Sequence, residues 1–211
     1  MKDYKLALSD EILMQVEKPA RYIGNEVNAV YKDKHDVDVR FAMCFPDVYE
    51  IGMSHLGMKI LYHLMNERED TYCERVFAPW LDMEEEMKKQ NVPLFTNETH
   101  TPVKEFDFLG ITLQYEMCYT DVLEMLDLAG IPLLSSERGN EYPIICGGGP
   151  CAYNAEPIAD VFDFFMLGEG EDLINETIKQ VLYQTLLIPK AGSILYITAV
   201  GDTLSEIARG F

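Results

Sequence analysis

From residue 38 onward, two patterns of apolar and polar positions take turns along the chain. Short continuous apolar runs alternate with longer stretches in which apolar residues recur every three or four positions. "VDVRFAMCFP" is a β-run, and "MSHLGMKILYHLMNE" has helical spacing that sets Leu56, Ile60, His63 and Leu64 on one face. "ERVFAPW" predicts a short strand and "LDMEEEMKKQ" a charged surface helix. "EFDFLGITLQY" predicts a strand, and "CYTDVLEMLDLAG" a helix closed by Gly130. "YPIICGGG" predicts a strand ending in glycines, and "DVFDFFMLGEGEDLINETIKQVL" a strand, a turn and a helix. Strands separated by helices imply parallel pairing through crossovers. Their continuous apolar character implies a sheet covered on both faces. The expected fold is α/β: a doubly wound, mostly parallel, five-stranded Rossmann-like (flavodoxin-like) sheet over residues 38–182. Residues 1–37 are a polar lead-in that packs on this body, with a short helix in "SDEILMQVEK" capped by Ser9. Residues 183–211 form a divergent tail.

Ligands of such sheets bind at the carboxyl ends of the strands near the switch point. Three features converge there: the D-x-Y-x-x-G loop of Asp47, Tyr49 and Gly52, the strand residue Thr112, and the run Gly147, Gly148 and Gly149. Glycine suits a backbone that must come close to a bulky ligand, because a Cβ would collide. Each feature also has an ordinary account: a tight turn at Gly52, a strand end at the triple glycine, a satisfied strand hydroxyl at Thr112, and a loop aromatic at Tyr49.

With these residues in order, "DVYEIG" resembles the D-x-H-x-x-G loop of cobalamin-binding domains, with Tyr49 in the histidine position. "DFLGITLQY", "IICGGGP" and "DFFMLGEGED" are similar to later strand ends of cobalamin (B12)-binding radical SAM proteins, and "KPARYIGNEVN" to the lead-in of one subfamily of them. Gln114 departs from the pattern, where an apolar residue is usual. The resemblance covers about residues 10–182. It implies a B12-binding domain of a B12-dependent radical SAM enzyme, with cobalamin held by Asp47, Tyr49, Gly52, Thr112 and Gly147–Gly149. It implies no catalytic residue and no metal-ligating side chain in this chain. A phenol, whose usual pKa is about 10, is a poor cobalt ligand at neutral pH, so cobalamin is expected without side-chain nitrogen ligation and Tyr49 is expected to pack under the corrin or shield the cobalt. His55 lies too far along to replace the missing ligand and reads as a helix-face histidine. Glu169 and Glu171 suit the first turn of a helix, where acidic groups complement the dipole.

The same resemblance places the chemistry in a further domain, where three closely spaced cysteines hold a [4Fe-4S] cluster for S-adenosylmethionine. The five cysteines here, Cys44, Cys73, Cys118, Cys146 and Cys151, include no such triplet and no C-x-x-C pair. This chain alone is therefore expected to bind cobalamin, to partner a radical SAM domain, and not to cleave S-adenosylmethionine. Two alternatives stay open: a non-catalytic interaction module that has lost the cofactor, suggested by Tyr49 and Gln114, and a flavin or nucleotide binder. The second lacks both G-x-G-x-x-G and a P-loop.

Composition narrows the partners. The 211 residues are 48% hydrophobic and carry a net charge of −19, which gives no bulk attraction to nucleic acid or an anionic membrane. An odd cysteine count argues against a disulfide framework, and cysteines beside apolar residues are expected to be buried. The start "MKDYKLALSDEILMQVEKPA" lacks the apolar core of a signal peptide, and nothing matches a transmembrane run, so the expected location is cytoplasmic. The tail "YQTLLIPKAGSILYITAVGDTLSEIARGF" resembles the junction of two incomplete LysM repeats, with Asp202 or Thr203 capping a helix before Leu204, Ile207 and Ala208. LysM modules bind N-acetylglucosamine polymers outside the cell. The two resemblances thus imply different compartments, and the expected origin of the tail is a fusion, frameshift or assembly artefact.

Overall fold

A computed structural model of the chain describes residues 8–182 and 196–198. Five strands form the parallel sheet of the body: β1 (Val39–Phe45), β2 (Thr71–Phe77), β3 (Phe108–Thr112), β4 (Ile144–Gly148) and β5 (Phe164–Leu167). A short sixth strand, β6 (Tyr196–Thr198), pairs parallel with β5, so the order is β2-β1-β3-β4-β5-β6. The LysM-like expectations, including the cap at Asp202 or Thr203, otherwise fall outside the described residues. The order reverses between β1 and β3, which makes their carboxyl ends the switch point of a flavodoxin-like sheet.

Helices cover both faces, and this is why the strands are apolar throughout. Helices α3 (Leu56–Glu67) and α6 (Gly170–Leu182) press Met58, Tyr62, Met65, Leu173, Ile174 and Ile178 onto Phe41, Met43, Phe45, Phe108, Cys146 and Phe164. On the other face, α4 (Leu81–Gln90) and α5 (Tyr119–Ala129) bring Met83, Met87, Val122, Met125 and Leu126 to Ala42, Cys44, Val76, Leu109, Ile111 and Ile145. Gly130 closes α5 in the left-handed conformation at φ 65°. All five cysteines are buried thiols. Between β4 and β5 the chain makes two short 3-10 segments, Pro150–Asn154 and Glu156–Val161.

Two expectations need correction. The run from Met53 to Glu67 is broken at His55, which ends α2 (Tyr49–Ser54) and caps α3, its Nδ1 accepting from Met58 N at 3.2 Å. His55 is a cap whose ring lies tilted against Phe45 at 5.1 Å, not a residue on the helix face. The inward face of α3 is Met58, Tyr62 and Met65, while Leu56, Ile60 and His63 face outward. Leucine and isoleucine marked the wrong stripe because methionine and tyrosine fill the irregular gap over Arg75, whose guanidinium lies 4.3 Å from the Tyr62 ring centre.

The lead-in is part of the packed body. Ser9 caps α1 (Asp10–Leu13), and Ile12, Val16 and Tyr22 enter the core. It continues past Tyr62, whose hydroxyl accepts from Val30 N at 2.8 Å, to Lys32, which donates to the carbonyl of Thr71 at 2.7 Å.

The edge strand β2 begins three residues earlier than "ERVFAPW" suggested and ends at Phe77, and it buries two charges. Arg75 Nε meets Glu98 Oε1 at 2.6 Å, and Glu98 Oε2 accepts from Arg75 N at 2.7 Å. Glu74 accepts from the hydroxyls of Thr96 and Thr99, each at 2.7 Å, and lies 3.4 Å from Arg40. Asn97 N adds a bond to Arg75 O at 2.8 Å. Loop 96–101 thus pairs the open-side backbone of β2 at Arg75, and the Asn66 amide of α3 pairs it at Cys73, so this edge does not offer those groups for edge-to-edge association.

Candidate functional site at the carboxyl edge of the sheet

At the end of β1, Pro46 has no N–H to continue the ladder, and the chain turns. Asp47 Oδ1 accepts from Val48 N at 2.7 Å, and Asp47 O accepts from Ala78 N at 3.0 Å, tying the turn to the end of β2. Asp47 Oδ2 accepts from the Tyr115 hydroxyl at 3.0 Å. Tyr115 lies three residues beyond Thr112 at the same sheet edge and was missed in the sequence. The signal that would have found it is an aromatic residue placed just after a strand of the expected topology. Burial, helped by the nearby Asp47, raises the pKa of the Asp121 carboxyl at the mouth of the switch point.

Tyr49 opens α2 and lies on the β2 side of β1. Its hydroxyl donates to the Glu26 carboxylate, and its ring meets Phe77 edge-on at 5.5 Å. Burial and the Glu26 hydrogen bond push its pKa up to about 12, so it is a neutral phenol. Gly52 leaves room for the same Phe77 ring: a Cβ there would lie 2.4 Å from Phe77 Cε1.

The three glycines after β4 have different surroundings. A Cβ on Gly147 would lie 2.7 Å from Phe165 and 3.1 Å from Phe162. Gly149, at φ 105°, would bring a Cβ to 2.9 Å from Leu113 O. Gly148 has space: a Cβ would approach only Met166 Cε, at 3.8 Å. Gly148 stands opposite Thr112 in the parallel register, and the buried Thr112 hydroxyl has no hydrogen-bond partner. The structure therefore groups Asp47, Tyr115, Thr112 and Gly148 around the ends of β1, β3 and β4. Tyr49 and Gly52 belong to the β2 side, and Gly147 to the packing of Phe162 and Phe165.

Large apolar side chains are exposed along this edge: Trp80 and Leu81 after β2, Ile51 after β1, Tyr115 and Met117 after β3, and Tyr153 after β4. Among the described residues, no group of three or more His, Cys, Asp or Glu is placed to hold a metal ion, and no helix is long and apolar enough to cross a membrane. Gly168, at φ 134°, turns the chain into α6, whose first turn carries Glu171 and Asp172.

No solved structure matches this chain. The uncharacterized protein MJ0966 of Methanocaldococcus jannaschii is 28% identical over 143 residues, which cover 66% of this chain and 26% of that protein. The chain thus matches about a quarter of its relative's length. The family described as "Radical SAM proteins, N-terminal" matches residues 57–187, from α3 through α6. With more than half of its residues in that match, and with the parallel sheet that carries them, the chain belongs to the family of N-terminal regions of radical SAM proteins.

Proposed function

We propose that this chain is a cobalamin-binding module that presents the cofactor, at the carboxyl edge of its sheet, to a radical SAM domain. The observation that carries the reading is the pair Thr112 and Gly148. An unpartnered buried hydroxyl costs stability, about 1–3 kcal/mol. Here it stands opposite a glycine whose missing side chain leaves a gap. A hydrogen-bonding base descending into the switch-point crevice would satisfy the first and occupy the second.

The residues fit the tail of cobalamin and do not fit a nitrogen ligand to its cobalt. Thr112 and Gly148 would hold the tail, and Asp47 with Tyr115 would border its entrance. Tyr49 is a neutral phenol committed to Glu26, in keeping with a lower cobalt face free of side-chain nitrogen. When bound, cobalamin supplies methyl or electron transfer through its cobalt. The chain's own contribution is to bind, orient and partly exclude water. The exposed Trp80, Leu81, Met117 and Tyr153 suit a face that another domain covers, because isolated soluble domains seldom gather large apolar side chains at one edge.

One observation favours the alternative of a binding module without cofactor. The space beside Gly52, Gly147 and Gly149 is taken by Phe77, by Phe162 with Phe165, and by Leu113. Incubating the folded chain with hydroxocobalamin and recording its visible spectrum after gel filtration separates the two. Absorbance that elutes with the protein is expected; a folded, colourless protein sinks the cobalamin reading. The Thr112→Val variant sharpens the test. It is expected to stabilise the cobalamin-free chain by about 1 kcal/mol, because it removes an orphaned polar group. It is also expected to weaken cobalamin retention by roughly tenfold, the value of one hydrogen bond. Urea titration and equilibrium binding read the two effects separately.

A further inference from the structure

We propose that residues 18–26 form a clasp that parks Tyr49 on the β2 side of the sheet and so keeps the carboxyl ends of β1 and β3 open. The inference deepens the cobalamin reading, on which its functional consequence rests.

The clasp is anchored on both sides of the residue that acts. Before it, the Tyr22 hydroxyl accepts from Trp80 N at 3.0 Å, and Tyr22 O lies 2.8 Å from His100 Nε2. Gly24 then lies flush on loop 96–98, where a Cβ would stand 2.4 Å from the backbone oxygen of Asn97, and its φ of 67° is adopted most easily by glycine. After it, Val30 N is held by the Tyr62 hydroxyl at 2.8 Å. Between these fixed points Glu26 receives the Tyr49 hydroxyl. The neighbouring Glu50 is held by the same segment, by Arg21 Nε at 2.9 Å and Lys18 Nζ at 3.4 Å. The turn after β1 is thus tied in two directions. Asp47 is tied toward the switch point by Tyr115, and Tyr49 and Glu50 are tied away from it by the lead-in.

The seam between clasp and body is not densely packed. Arg21, Tyr22, Tyr49, Phe77, Met83 and Asn97 line a cavity of about 20 Å³, room for about one water. Asn97 Nδ2 is buried there without a hydrogen-bond partner. A seam with a void and an unpaired donor resists opening less than a filled one. The Tyr49–Glu26 bond is therefore the main local restraint on the ring. With Glu26 released, the ring keeps its edge contact with Phe77 and its place in the loosely filled cavity, and a swing across β1 toward Thr112 and Gly148 is opposed by no hydrogen bond of its hydroxyl.

Hydrogen–deuterium exchange of the full chain tests the clasp without any cofactor. Glu26→Ala and Tyr49→Phe are each expected to speed exchange of the amides of residues 48–54 by tenfold or more. The double variant should go no further than either single one, because one bond is removed in all three. Glu26→Gln, which keeps an acceptor, should restore most of the protection. Strands 39–45 and 108–112 should be unchanged throughout. Unaltered exchange at 48–54 in Glu26→Ala, or an equal rise across the whole sheet, overturns the clasp. Hydroxocobalamin binding is then compared between the native chain and Glu26→Ala. Weaker binding by Glu26→Ala ties the clasp to the site. Equal binding by the two removes that functional role. If the native chain binds none, the cobalamin reading fails while the exchange result still decides the clasp.

Discussion

Glu98→Ala is expected to cost about 3–5 kcal/mol of folding stability, the largest single loss in the molecule. Arg75 is only 1% exposed, and its Nη2 already lacks a partner. Burial works against its charge, but the Glu98 carboxylate outweighs that and holds the guanidinium protonated. Removing Glu98 leaves a buried cation uncompensated and also strips the acceptor from Arg75 N at the sheet edge. Domains of this size have about 5–15 kcal/mol in all, so the variant should sit near the limit of folding. Urea unfolding monitored through Trp80, the single tryptophan of the chain, measures it. Replacing both partners with apolar residues, Arg75→Met with Glu98→Leu, should recover much of the loss, since the charge that demands a partner goes with it. A Glu98→Ala loss below about 1 kcal/mol would show that water reaches the pair.

The second large effect separates two adjacent glycines. Gly147→Ala should destabilise the chain by about 1–3 kcal/mol, as overpacking does in a filled core. Its methyl group would press on the rings of Phe165 and Phe162, which pack on each other at 4.8 Å and are 1% and 4% exposed. Gly148→Ala should leave stability within about 0.5 kcal/mol, because its new Cβ meets nothing closer than 3.8 Å. Cobalamin retention should respond in the opposite order, with Gly148→Leu reducing it most by filling the gap opposite Thr112. Denaturation curves and visible absorbance after gel filtration read the two variants side by side. Equal stability losses at 147 and 148 would contradict the packing described for Phe162 and Phe165.

The sheet was legible because both its faces are covered. Continuous apolar runs at Val39–Phe45, Phe108–Thr112 and Ile144–Gly148, separated by helical spacing, admit few arrangements other than a parallel sheet between two helical layers. Gly130 and Ser9 marked helix ends through local chemistry that needs no tertiary partner. The inward stripe of α3 was not legible, because its periodicity was shared by two apolar faces and only contact with Arg75 and the β1–β2 surface chose between them.

The site divides in the same way. The β-α rhythm already brings Asp47, Thr112 and the triple glycine to one edge, since it implies parallel strands and each residue sits at a strand end. What surrounds each of them depends on the packed side chains. Gly147 makes room for two phenylalanines, Gly148 faces open space, and Thr112 is left without a hydrogen bond. Tyr49 turned out to be bound to Glu26, 23 residues earlier in a segment with no regular pattern of its own. Local spacing fixes which backbone positions share an edge, whereas free volume and hydrogen-bond partners depend on side chains from distant segments. The buried pair Arg75 and Glu98 follows the same rule: nothing in local spacing links the two, and each charge is buried against the other across the edge of the sheet.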